Sequence, residues 1–274
     1  MGFIDTLQAA WQRSGSMLCV GLDPDTARMP APLGRMHPRM GIEHFCRAIV
    51  DATADVVCAF KPQIAYFASQ GAEEELERLC QYIRETYPDV LLILDAKRGD
   101  IGPTATHYAR EAFDRYGAHA VTVNPYLGTD SVEPFLTHGG GGVFVLCRTS
   151  NPTSGDFQNL VTDGEPLYLH VARRVAEEWS HIGDCGLVVG ATYPDELRQV
   201  REVVGDLPLL VPGVGAQGGD VQATVAAGRA NTGYGMVINS SRAILFASHG
   251  FDYPDAARAA AIATRDEIAK YATA

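Results

Sequence analysis

The amino-acid sequence predicts an α/β fold: a (β/α)8 barrel of the TIM type with an extra N-terminal helix, residues 1–274 forming a single domain. Three observations predict it. Eight short apolar runs recur along the chain, each bounded by turn residues. Stretches with helical spacing alternate with them, and no change of composition marks a boundary. The length of 274 residues suits one such barrel, which typically needs ~250.

The opening segment MGFIDTLQAAWQRSGS reads as a short amphipathic helix. It has neither the basic start nor the continuous apolar run of a signal peptide. The apolar runs follow at 17–23, 56–62, 90–97, 120–126, 142–150, 185–192, 207–214 and 235–241. Each is continuously apolar rather than alternating, as expected of parallel strands buried on both faces. Helical spacing fills the intervals at 42–55, 72–87, 104–117, 165–180 and 194–205. The segment from 220 opens another helix on Asp220, and Pro254 and Asp255 open a closing one. Four glycines, Gly139–Gly142, mark the turn entering the fifth strand, with no ligand role.

Composition narrows the function. A net charge of −11 argues against nucleic-acid and anionic-membrane partners, which favour a basic face. No stretch approaches the ~20 apolar residues needed to cross a bilayer. The six cysteines form no CxxC pair, and Cys19, Cys58 and Cys147 sit inside strand-like runs as small hydrophobes, which fits a reducing cytoplasm. The eight histidines form neither HxH nor HExxH, so no metal site is expected, and GxSxG is absent.

In such a barrel the active site lies at the C-terminal ends of the strands. The third strand ends LDAKRGD; alternation puts Asp95 and Lys97 on one face with Ile93. The second ends AFKP, which sets Lys61 at the matching height, about one strand spacing (~4.8 Å) away. A rim salt bridge is the plain structural reading of such residues. Against it stands the use of lysine: the chain has only Lys61, Lys97 and Lys270 against 19 arginines. Two of its three lysines stand at strand ends, where a tunable proton matters and an arginine would not release one. Asp23, at the end of the first strand, is in phase with Cys19 and Gly21 and faces the mouth.

Two loops complete the reading. VPGVGAQGGD after the seventh strand, followed by a helix, looks like a phosphate cradle, and the eighth strand brings Arg242 beside it. The fifth strand leads into the longest loop, whose serines, threonines and asparagines suit a lid or recognition loop with Thr149 and Ser150 at its base.

The run LDAKRGDIGPT closely resembles the DxKxxDI-x-x-T signature of orotidine 5′-phosphate decarboxylases. VGLDPD and AFKPQIAYF match the family's first and second strands, and RTSNPTSGDFQ, VPGVGAQGGD and NSSRAI resemble its longer bacterial (type 2) subfamily. The resemblance covers residues 17–245. One departure is Pro103, where the family commonly has Asn; Thr104 stays in register. The resemblance implies decarboxylation of orotidine 5′-phosphate to UMP and CO2 in pyrimidine biosynthesis, with neither metal nor organic cofactor. It implies Lys97 as proton donor, Asp95 against the substrate carboxylate, and Lys61 and Asp23 on the ribose. Gln217 and Arg242 would hold phosphate and Ser150 the pyrimidine edge. Asp100 and Thr104 would reach the partner's site in a homodimer. Related Mg²⁺-dependent sugar-phosphate enzymes share the third-strand pattern but carry an acidic residue where this chain has Lys61.

Overall fold

The computed structural model describes residues 2–214 and 220–272, the side chain of Arg35 excepted. Eight parallel strands close into a barrel: β1 (Leu18–Leu22), β2 (Ala59–Pro62), β3 (Leu91–Arg98), β4 (Ala120–Val123), β5 (Gly142–Arg148), β6 (Cys185–Val189), β7 (Leu209–Pro212) and β8 (Met236–Ser240). Each pairs with its neighbours in sequence, and β1 closes the ring against β8 through Leu18 and Ile238. The strands are almost wholly buried. That burial explains their continuous Val, Leu and Ile runs, since helices cover one face and the barrel interior the other.

The predicted runs place all eight strands, and several overshoot at their C-terminal ends. The run at 120–126 yields a strand of four residues, and that at 185–192 a strand of five. The extra residues leave the ladder at the barrel mouth, where they line the loops. The longer helices also fall where their spacing puts them; short helices at Ile64–Ala68, Gly155–Gln158 and Arg242–Leu245 are added, as is a longer one. Thr129–Leu136 is a helix between β4 and β5 that contains Pro134. Its eight residues and internal proline left too short a period to read. The 104–117 stretch forms a helix over Gly102–Arg110 and then a π-helical turn over Glu111–Arg115.

The N-terminal helix Phe3–Ser14 closes the bottom of the barrel. Phe3 meets Phe144 edge to face, with ring centroids 5.6 Å apart. Gly142 makes room for it: a Cβ there would lie 2.2 Å from the Phe3 ring. Gly139 and Gly140 take positive φ, so the glycine run is indeed the turn entering β5, and its last member accommodates an aromatic plug. All six cysteines are buried and unpaired with one another. Among the described residues, no helix is long and apolar enough to cross a membrane.

Candidate active site

At the mouth of the barrel one carboxylate stands between two ammonium groups. Lys61 Nζ donates to Asp95 Oδ2 at 2.7 Å, and Lys97 Nζ donates to Asp95 Oδ1 at 2.5 Å. Lys61 and Asp95 are buried, whereas the Lys97 side chain is 43% exposed and faces the opening. Burial opposes charge on Asp95, but the fields of Lys61 and Lys97 outweigh it and hold its carboxyl far below the usual range. Burial opposes the Lys61 ammonium in the same way. The charges of Asp95 and then Asp23 overcome it and raise the lysine. At neutral pH both members of the buried pair are therefore charged.

The register differs from the simple picture of side-by-side strand ends. Lys61 is level with Gly21 of β1, whereas Asp95 is level with Gln63, two residues further up β2. The stagger of a closed barrel sets this offset, and the long lysine stem spans it. Lys97 also reaches Asp95 by a route that alternation does not describe. The β3–β4 register shifts between Leu94 and Arg98, and Lys97 has φ 47°, the left-handed region. For a non-glycine residue this conformation costs about 1–2 kcal/mol.

The array lies in the wall of a cavity of about 530 Å³. Around the mouth, Asp23 accepts from Ser241 Oγ at 2.6 Å through one oxygen, while its other, Oδ1, is buried with no partner among the described residues. Gly21 leaves space for the eighth strand's polar residues: a Cβ there would come within 2.9 Å of Asn239 and Ser241. On the far side, Thr149, Ser150 and Gln158 come from the β5 loop, and Arg242 from the turn after β8. The cations Lys61, Lys97 and Arg242 and the unpartnered oxygen of Asp23 thus line one cavity, which suits a polar anionic ligand.

The sequence matches the profile of the orotidine 5′-phosphate decarboxylase/HUMPS family over residues 16–253. The chain belongs to this family. It is 63% identical to the orotidine 5′-phosphate decarboxylase of Ralstonia pickettii over 271 residues, which cover 99% of both chains. It is 60% identical to that of Bordetella pertussis over 270 residues, 98% of both. Its fold is similar to that of the Leishmania donovani OMP decarboxylase, with a TM-score of 0.86, 38% identity and full coverage of both chains.

Of the residues expected to serve an orotidine 5′-phosphate decarboxylase, Asp23, Lys61, Asp95, Lys97, Ser150 and Arg242 converge on one cavity. Asp100 and Thr104 do not line it. Asp100 caps its own loop by accepting from Ile101 N at 2.8 Å, and Thr104 is exposed. Pro103 falls in the first turn of the helix beginning at Gly102, a position that needs no N–H. Gln217 and the glycines at 215, 218 and 219 lie outside the described residues. Asp220 caps the next helix by accepting from Ala223 N at 2.7 Å, as its position suggested.

Three parts of this decarboxylase-family site escaped the sequence reading. Thr122 of β4 donates to Asp95 Oδ1 at 2.9 Å. Asn239 and Ser241 line the cavity beside Arg242, the one residue of that run the sequence pattern marks. Arg148, buried at the end of β5, donates to Thr149 O, to Ser154 Oγ and to Gln158 Oε1, and its guanidinium lies over the Tyr193 ring at 4.1 Å. A polar residue inside an apolar strand was the available signal for Thr122. Nothing local marked Arg148, because its partners come from two different loops.

Proposed function

We propose that this cavity decarboxylates orotidine 5′-phosphate to UMP and CO2 in pyrimidine biosynthesis, a carboxy-lyase reaction, and that residues 1–274 form one barrel domain for it. The observation that carries the reading is a single carboxylate, Asp95, held by two ammonium groups at the mouth of a nucleotide-sized cavity. A substrate carboxylate placed beside Asp95 at ~4 Å meets a repulsion of about 4 kcal/mol at an effective dielectric near 20. That repulsion is relieved as the C–C bond breaks. The electron pair left at C6 faces the Lys97 ammonium, which is exposed to the cavity and carries the proton that C6 takes up. Lys97 then regains a proton from water.

The remaining roles follow from position. Lys61 keeps Asp95 ionised and, with the open Oδ1 of Asp23, is placed for ribose hydroxyls. Ser150, which lines the cavity, would read the pyrimidine edge, and Arg242 with Gln217 would bind the remote phosphate. Binding energy from that phosphate can organise the loops around the reacting carbon. The chemistry assigned to these side chains needs neither metal nor organic cofactor, and the enzyme would work in the cytoplasm.

The active unit is a homodimer in this reading. Asp100 is half-buried and Thr104 exposed, and neither lines its own chain's cavity. Beside them stand the exposed side chains of Ile101, Tyr126 and Leu127, an apolar rim suited to a second copy. Loss of orotidine 5′-phosphate followed by absorbance, with and without chelator, tests the whole reading. Wild-type turnover that survives chelation and is abolished in Lys97→Ala is the expected result. Absence of turnover in the wild type would overturn the function, and undiminished turnover in the variant would overturn the proton donor.

A further inference from the structure

One hydroxyl group of β4 connects the Asp95 carboxylate to the backbone N–H groups of Ala96 and Lys97 on β3. Thr122 is 1% exposed, and its Oγ1 takes part in three hydrogen bonds. It donates its proton to Asp95 Oδ1 at 2.9 Å. It accepts from Ala96 N at 3.0 Å and from Lys97 N at 2.9 Å. A hydroxyl has one proton and two lone pairs, so its capacity is filled.

These bonds occur where β3 departs from regular pairing. The parallel ladder to β4 is interrupted between Leu94 and Arg98, which leaves the N–H groups of Ala96 and Lys97 without strand partners. Lys97 is one of only two described non-glycine residues with positive φ. The backbone turn that brings its ammonium back onto Asp95 is therefore held at both ends by Thr122: the N–H groups on one side, the carboxylate on the other. A backbone outlier of this kind persists only where its surroundings over-determine it. Here Thr122 adds its three bonds to the one between Lys97 Nζ and Asp95.

We propose that Thr122 is a positioning residue for the decarboxylation: its hydroxyl fixes the left-handed turn at Lys97 and the orientation of the Asp95 carboxylate, so that the proton donor and its counter-charge stay in one geometry. This rests on the proposed decarboxylase reading and adds to it a requirement for an oxygen at the centre of β4. The cavity-facing residues that grip ribose and phosphate are untouched by Thr122. Its loss should therefore appear in the chemical step and leave ground-state binding nearly unchanged. Displacing a catalytic group by about 1 Å commonly costs about 10²-fold in rate.

The test compares Thr122→Val, Thr122→Ala and Thr122→Ser with wild type by steady-state kinetics on orotidine 5′-phosphate, UMP affinity and thermal unfolding. Valine keeps the shape and removes the oxygen; serine keeps the oxygen and removes the methyl group. The expected result is a fall of about 10²-fold in kcat for valine, with KM and UMP affinity within about threefold, and serine within about threefold of wild type throughout. If valine does not fold, the same comparison is read between alanine and serine. A valine or alanine variant with wild-type kcat overturns the proposal, as does a serine variant as slow as the oxygen-free one. A wild type without turnover overturns the decarboxylase reading itself, which separates that failure from the failure of Thr122.

Discussion

Lys61 stands two residues below Asp95 in the barrel register, yet its Nζ reaches the Asp95 carboxylate at 2.7 Å and fixes a buried ion pair. The second ammonium on that carboxylate, Lys97, is 43% exposed. The two lysines therefore differ in what they do for the folded chain and in what they do for catalysis.

Removing Lys61 leaves a buried carboxylate short of its closest shielded counter-charge. Breaking one side of a buried pair typically costs about 3–5 kcal/mol, reduced here because Lys97 remains. Lys61→Ala is expected to lose about 2–4 kcal/mol of unfolding free energy, and Lys97→Ala under about 1 kcal/mol, since exposed pairs contribute little. Urea unfolding at pH 7 reads both. Equal losses for the two variants would show that burial does not separate them.

Acid acts on Asp95 from a known direction. Its folded pKa is depressed by the two lysines against the opposing effect of burial. The stability it contributes is thus present above its unfolded pKa, about 3.9, and is lost as pH falls through the lower folded value. The gap in stability between wild type and Asp95→Asn should stay constant from pH 7 to 5 and shrink only below about pH 4. A gap that closes already at pH 6 would contradict the depressed pKa.

A second titration belongs to the bottom of the barrel. His119 joins the start of β4 to β3, where its Nδ1 accepts from Leu92 N at 2.9 Å. Burial, with the adjacent Arg84 charge, pushes its pKa down to about 4. Above about pH 6.5 the ring is neutral in both states. Between there and 4 the unfolded chain takes up a proton that the folded chain refuses, so stability falls as pH falls, by roughly 2–3 kcal/mol in total. His119→Gln should remove that slope without altering the one that Asp95 produces below pH 4. Unfolding titrations across pH 7 to 4 decide it.

Gln158 ties the β5 loop back to its own base. Its Oε1 accepts from Thr149 N at 2.9 Å, and its Nε2 donates to Thr149 Oγ1 at 2.8 Å, next to Ser150. Gln158→Ala is expected to raise KM for orotidine 5′-phosphate about tenfold, the equivalent of one or two hydrogen bonds to a loop that must order on binding. The affinity for ribose 5-phosphate, which has no pyrimidine edge, should change little. An equal loss for both ligands would mean that the loop does not serve the base.

The shared-site reading makes a prediction that needs no partner structure. Asp100→Asn and Lys97→Ala proteins, each inactive alone, should regain about a quarter of wild-type activity when mixed and allowed to exchange subunits. Half of the dimers are then hybrids, and each hybrid has one site with both wild-type residues. No recovery despite demonstrated exchange would place Asp100 in the site of its own chain or outside catalysis.

The barrel, its eight strands, the N-terminal helix and the residues near the strand ends follow from the amino-acid pattern alone. Hydrophobic periodicity carries that information locally, and two of only three lysines mark the site. Asp23, Lys61, Asp95, Lys97, Ser150 and Arg242 are legible because each lies in the last residues of an apolar run or just after it. The tertiary structure decided how they meet. Barrel stagger set Lys61 below Asp95, and a β3 irregularity rather than strand alternation turned Lys97 onto the same carboxylate. Thr122 and Arg148 acquired their roles only there, because a hydroxyl on one strand and a guanidinium between two loops take their meaning from partners 25 or more residues away in one case and partly on a different βα unit in the other. Such long-range hydrogen bonding leaves no period in the chain to read.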